Sequence, residues 1–209
     1  EVAQAVVDTV KSRLPRHLKC NPVDDIQVLS PMRRSVTGVD NLNVLLRDAL
    51  NPARQGVSEL RYGATVFRRG DKVMQIRNNY ERRVYNGDMG RIVWIDPEEG
   101  EVVVRYPEAE GDRNVTYLQD DLDELVLSYC VSVHKSQGSE YTAVVIPVTT
   151  QHYVMLQRNL IYTAVTRAKE AVVMIGTKRA LAIGIKNASL LERRTMLAER
   201  LRDLAESTV

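Results

Sequence analysis

Two short stretches hold the side chains best suited to chemistry. Ser132-Val133-His134-Lys135-Ser136-Gln137-Gly138-Ser139-Glu140 brings an imidazole, an ammonium, three hydroxyls, an amide, a glycine and a carboxylate into one segment. Tyr162-Thr163-Ala164-Val165-Thr166-Arg167-Ala168-Lys169 adds a guanidinium, which is planar, always charged and shaped to grip anionic oxygens. A glycine at 138 lets a ligand approach the backbone where a side chain would block it, and a carboxylate at 140 can accept hydrogen bonds from hydroxyls. The simpler readings are a structural histidine at 134, a core tyrosine at 162, and at 167 a cation answering the dipole of a helix C-terminus.

These groups need a frame. Between the blocks, Thr142-Ala143-Val144-Val145-Ile146-Pro147 reads as a buried strand. Leu156, Leu160, Ile161 and Val165 mark a helix that carries Arg167 late in its length, and Ala171 to Ile175 reads as the next strand. Strand, helix, strand with polar groups at the edges is the pattern of a nucleotide-facing α/β domain. Upstream, Val2, Val6, Val10 and Leu14 predict a helix ended by Pro15. Ile26 to Leu29 predicts a strand closed by Ser30-Pro31. Leu42, Leu45, Leu46, Ala49 and Leu50 predict a helix stopped at Asn51-Pro52. Helices are expected near 178–186 and 188–205.

From about Arg61 the segments shorten and fill with Val, Ile and Tyr, separated by Arg69-Gly70-Asp71, Asn86-Gly87-Asp88, Pro97-Glu98-Glu99-Gly100 and Glu110-Gly111-Asp112. That texture predicts a small all-β unit with strands near 64–68, 72–77, 90–96, 101–106 and 113–118. Its first part is basic (Arg61, Arg68, Arg69, Lys72, Arg77, Arg82, Arg83, Arg91) and its second acidic, from Glu98 to Glu124. Phosphates attract the first and repel the second, so if the unit meets nucleic acid Arg77 through Arg91 is the side expected to do so; the alternative is ordinary charges that solubilise a small barrel. Asn78, Asn79 and Tyr80 could contact a backbone or stack on a base, or form a polar hairpin tip.

The paired blocks at this spacing resemble motifs V and VI of superfamily 1 helicases, most closely the RecD-like branch. Leu29-Ser30-Pro31-Met32-Arg33-Arg34 with Gly38, Leu42 and Asn43, and Gly70-Asp71-Lys72-Val73-Met74-Gln75 with Asn78-Asn79-Tyr80, are similar to that family too. The resemblance implies an α/β fold, a RecA-like parallel sheet with helices on both faces, interrupted by an SH3-like barrel. Residues 1–60 and 127–209 would form the second motor domain and 61–126 the insert. It implies Arg167 as an arginine finger, with Gln137, Gly138 and Glu140 beside ATP, and Pro31, Arg33, Asn78, Asn79, His134 and Lys135 along single-stranded DNA. No Gly-x-x-x-x-Gly-Lys-Ser/Thr occurs, nor an apolar strand ending in an acidic pair. The first RecA-like domain of the same parent chain would then hold Mg²⁺, and no metal site is expected here. The rival reading is a non-catalytic nucleic-acid-binding module built on the barrel. It leaves the paired blocks unexplained.

Composition sets wide bounds. A formal charge of +2 over 209 residues is too small to argue for a nucleic-acid partner by itself. Cys20 and Cys130 match no metal or redox spacing, which suits a reducing cytoplasm. No stretch is long enough to span a membrane. The chain begins without a methionine and reads as part of a longer parent.

Overall fold

A computed structural model gives the fold and describes residues 1–109, 111–152, 155–187 and 202. The expected helix near 188–205 falls almost wholly outside the described residues. The chain opens with α1 (Val2–Asp8), a π-helical turn over Thr9–Arg13, and α2 (Leu14–Leu18). Pro15 therefore does not end the run as expected. Proline's ring crowds the carbonyl four residues back and its nitrogen donates nothing, and the wider turn ahead of it eases that conflict. Lys19 closes the helix with φ of 53°.

In chain order there follow β1 (Ile26–Ser30), α3 (Val39–Leu50), β2 (Glu59–Tyr62), β3 (Thr65–Arg68), β4 (Lys72–Gln75), β5 (Met89–Asp96), β6 (Glu101–Tyr106), β7 (Arg113–Tyr117) and β8 (Leu125–Leu127). Then come β9 (Cys130–Ser132), β10 (Tyr141–Val148), α4 (Arg158–Val165), β11 (Ala168–Gly176) and α5 (Lys178–Lys186). Four of the strands form one parallel sheet in the order β11-β10-β1-β9. Successive side chains of a strand point to opposite faces, and both faces here are apolar. Ile26, Val28, Ala143 and Val145 pack under α1 and α3 with Leu42 and Leu46. Leu29, Val144, Ile146 and Val148 pack on the other face with Leu156, Ala164 and Ala180 from the α4–α5 side. The parallel α/β expectation, with helices on both faces, is met.

The middle of the chain forms an antiparallel sheet, β7-β6-β5-β4-β8, and a hairpin, β2-β3. Phe67, Val73, Ile92, Val102, Val104 and Tyr117 fill its core. Strands β3 to β7 fall close to the five expected ones, β2 and β8 come in addition, and Gly87, at φ of 108°, makes the turn that Asn86-Gly87 announces. The charge expectation needs correcting. Arg68 and Lys72 are buried. Arg77 pairs with Asp123, Arg82 with Asp121, and Arg91 with Asp24. Charges separated in sequence are interleaved by the fold, so the exposed basic face is smaller than the tally of arginines suggests.

A buried polar joint connects the two units. Asp71 accepts from Asn51 Nδ2 at 2.7 Å, Tyr129 Oη at 3.0 Å and the Arg68 amide at 2.8 Å. Lys72 Nζ donates to Val23 O and Gln27 Oε1, each at 2.9 Å. Gln27, itself buried at the centre of the sheet, donates onward to Ser128 O and Tyr129 O. Desolvation raises the Asp71 pKa and pulls that of Lys72 down to about 8.

Candidate nucleotide and nucleic-acid interface

Strand register decides where the two signature blocks lie. β1 pairs Ser30 with Ser132 and Ile26 with Ala143, and β10 pairs Tyr141 with Ala168. Ser132 therefore stands at the carboxyl edge of the sheet, whereas Tyr141 and Ala168 stand at the amino edge. The first block must recross the sheet between them. Its His134 end and its Glu140 end face opposite edges.

At the amino edge the two blocks meet. The Arg167 guanidinium donates to Ser139 O and Thr163 O, each at 3.3 Å, and approaches Thr166 Oγ1 at 3.4 Å. The Tyr141 amide donates to Arg167 O at 2.9 Å. All of Arg167's side-chain contacts are long and neutral, and among the described residues no carboxylate pairs with it. Its charge is free for an anionic ligand. One expectation changes: α4 ends at Val165, so Arg167 occupies the turn into β11 rather than the helix. That turn holds it against Ser139. Gly138 adopts φ of 86°, a conformation that suits glycine. Glu140 is exposed and lies 3.6 Å from Lys169. It also lines a cavity of about 500 Å³ with Tyr141, Lys72, Arg91 and Asp24.

The carboxyl edge carries the other candidates. His134 and Lys135 are exposed on the turn after β9. Lys135 Nζ donates to Asn86 Oδ1 at 2.5 Å, so the first block also touches the barrel. Asn86 is held in turn by Asn78 Oδ1, which accepts from its amide at 2.9 Å. Asn79 spends its side chain inside the barrel, on Glu124 and on the Arg82 amide. Gln137 lines a cavity of about 140 Å³ with His134, Asn159, Leu160 and Thr163, apart from Arg167. Arg33 is exposed beside Asp40, at 3.2 Å, while Pro31 is buried. Tyr162 is 70% exposed, which removes the core reading for it. Sequence reading passed over His152, Asn86 as a partner of Lys135, and Ser139 as the seat of Arg167. Only Asn86 carried a signal, as half of an Asn-Gly turn.

Comparison with known proteins identifies the family. Residues 42–106 match the model of the ATP-dependent RecD-like DNA helicase SH3 domain, and residues 127–175 that of the UvrD-like helicase C-terminal domain. The chain is 36% identical to the ATP-dependent RecD2 DNA helicase of Deinococcus radiodurans, over 80% of this chain and 23% of the relative. It is 29% identical to the RecBCD enzyme subunit RecD of Mycolicibacterium smegmatis, over 86% of this chain and 30% of the relative. The chain belongs to the RecD-like helicase family. It spans less than a third of the length of these curated relatives. Two solved structures share the fold, each with a TM-score of 0.55 over 97% of this chain. One is the Pif1 helicase from Bacteroides in complex with ADP-AlF3 and ssDNA (14% identity, 49% of that chain), the other the Pif1 helicase from Candida albicans (17%, 57%). The parallel sheet is RecA-like, and the match to the family's SH3 domain begins in α3 and runs through β2 to β6 of the antiparallel unit.

Proposed function

We propose that this chain is the second motor half of an ATP-dependent DNA helicase that moves 5′ to 3′ on single strands. Residues 1–60 and 127–209 form the motor domain, and 61–126 form its insert. The observation that carries the reading is the meeting of Arg167 with Ser139 at the amino edge, with no carboxylate among the described residues taking up the guanidinium. That arrangement suits an arginine finger reaching across to nucleotide on the first RecA-like domain of the same parent chain. The names of the relatives and the ADP-AlF3 and ssDNA of one Pif1 structure support the same direction.

ATP, with Mg²⁺ held by that first domain, supplies the phosphoryl group to be transferred. Arg167 stabilises charge gathering on its equatorial oxygens, an effect of about 10³–10⁵ in rate for such fingers. Gly138 keeps the backbone open beside the nucleotide, and Gln137 orders the segment between the two edges. Glu140 turns from Lys169 to accept from the ribose hydroxyls. At the carboxyl edge His134, Lys135, Arg33, Asn78 and Asn79 follow the DNA strand, with Pro31 shaping the loop that carries Arg33. Alone, this half neither hydrolyses ATP nor unwinds DNA.

The test is ATP turnover by the full-length protein with single-stranded DNA, wild type against Arg167→Ala. A fall of about 10³ or more with nucleotide binding kept is expected. Unchanged turnover would make Arg167 structural and leave the nucleic-acid-binding module as the better reading.

A further inference from the structure

His152 lies outside both signature blocks and is fully buried. It sits on the 3-10 turn Thr150–His152 that follows β10, at the carboxyl edge. Its Nε2 shares a hydrogen bond with Thr37 Oγ1 at 2.9 Å and lies 3.5 Å from Ser35 Oγ. Both hydroxyls belong to the loop between β1 and α3, which carries Arg33. That loop is already braced from beneath, because Ser30 Oγ is within 2.8 Å of Thr37 O and 3.1 Å of Met32 O. It is also tight. A Cβ at Gly38 would lie 2.5 Å from Arg33 O. Thr37 is buried, so its hydroxyl has no solvent to fall back on.

The backbone of His152 works in the other direction. Its carbonyl accepts from the amides of Met155 at 2.8 Å and Leu156 at 2.9 Å. Leu156 is buried and leads through the N-cap Gln157 into α4. The far end of α4 supplies Thr163 O, the acceptor of Arg167 Nε. One residue thus ties the Arg33 loop, through its ring, to the helix that seats Arg167, through its backbone. Burial lowers the pKa of the imidazole, with the Pro147 carbonyl opposing, so the ring stays neutral and serves as a hydrogen-bonding strut rather than a charge.

We propose that His152 is a positioning residue that joins the strand-facing loop 31–38 to α4, so that DNA bound at the carboxyl edge is registered at Arg167 on the amino edge. The inference rests on the motor reading above. The His152 Nε2 and the Thr37 hydroxyl, both buried, make a two-ended link, and losing either partner orphans the other. Packed elements linked in this way are what carries coupling between distant sites.

The experiment measures ATP turnover of the full-length protein against oligonucleotide concentration for wild type, Thr37→Val, Thr37→Ser, His152→Leu and the double variant Thr37→Val/His152→Leu. Thr37→Val removes the hydroxyl while nearly keeping the volume, so the fold survives. Thermal unfolding of each variant verifies this. Maximal stimulation by DNA is expected to fall about tenfold in Thr37→Val and in His152→Leu. The double variant should be no worse than either single one, and Thr37→Ser should recover most of the stimulation. Stimulation within twofold of wild type in Thr37→Val, or strictly additive losses, would reduce the pair to packing and overturn the proposal alone. A wild type that DNA does not stimulate would overturn the motor reading and this proposal with it.

Discussion

Lys72→Met probes the joint between barrel and sheet. The Lys72 ammonium is buried, fixed on Val23 O and Gln27 Oε1 at 2.9 Å and set 5.8 Å from the centre of the Tyr141 ring. Desolvation dominates its environment and draws its pKa from 10.5 to about 8, while Asp24 opposes the fall. At ~1.36 kcal/mol per unit that is about 3 kcal/mol against the charged form. The folded value lies below the unfolded one. Between about pH 8 and 10.5 the unfolded chain therefore keeps a proton that the folded chain has released, and stability from this group rises with pH. Below that window the penalty is full and constant. Methionine removes the charge and its penalty but strands two buried acceptors, at about 1–3 kcal/mol each, so near neutral pH the two effects largely offset. The distinguishing signal is the slope. Urea unfolding of both proteins should show wild type gaining about 3 kcal/mol on the variant across the window. Tyr106 and Tyr129, whose pKa values are raised by burial, titrate in both proteins and cancel. A difference that stays flat with pH would refute the claim that the folded state desolvates this ammonium.

Lys135→Ala should weaken binding of a fluorescent single-stranded oligonucleotide and make the slope of log affinity against log salt shallower by about 1. An unchanged slope would mean that Lys135 serves only Asn86. Gly138→Ala meets no neighbour within 4 Å, so its cost is backbone alone, about 1–2 kcal/mol by thermal unfolding. Gly176→Ala would place a Cβ 1.7 Å from Val148 O and should cost well over about 4 kcal/mol or prevent folding; a mild phenotype would show that β10 and β11 separate easily. Leu46→Ala, at a fully buried position between α3 and the sheet, should lose about 2–5 kcal/mol in chemical denaturation.

Local pattern revealed most of the elements, because apolar alternation and turn chemistry act over a few residues. Strands β3 to β7 of the barrel and the β1, β10 and β11 segments were legible for that reason, as was α3 with its stop at Asn51, whereas the short β2 and β8 at the ends of the unit were not. Pro15 misled because the relief it needed came from a π turn whose residues, Thr9 to Arg13, carry no distinctive signal. The basic face of the insert misled because ion pairs such as Arg77–Asp123 and Arg91–Asp24 form between residues far apart in sequence. Arg68 and Lys72 look like surface charges in sequence, yet the fold buries both as parts of its joints. His152 was invisible for a related reason. A lone histidine between a strand and a helix says nothing until Thr37 is brought against it from the loop after the neighbouring strand β1.

One of the connections that join opposite edges of the sheet is the first block itself. The segment from Val133 to Glu140 leaves β9 at the carboxyl edge and enters β10 at the amino edge, passing β1 on the way. It is anchored rather than loose. Val133 and Ser136 are buried, and Ser136 Oγ donates back to Val133 O at 2.8 Å. Lys135 fastens its first turn to the barrel, and Ser139 fastens its last to Arg167. A displacement at either fastening must move the other or break buried contacts, since close-packed interiors transmit strain rather than absorb it. The same block that carries the candidate DNA contacts at one end therefore seats the candidate nucleotide sensor at the other. That explains why its residue types are packed into so short a stretch: the chemistry at the two edges needs a link no longer than the sheet is tall.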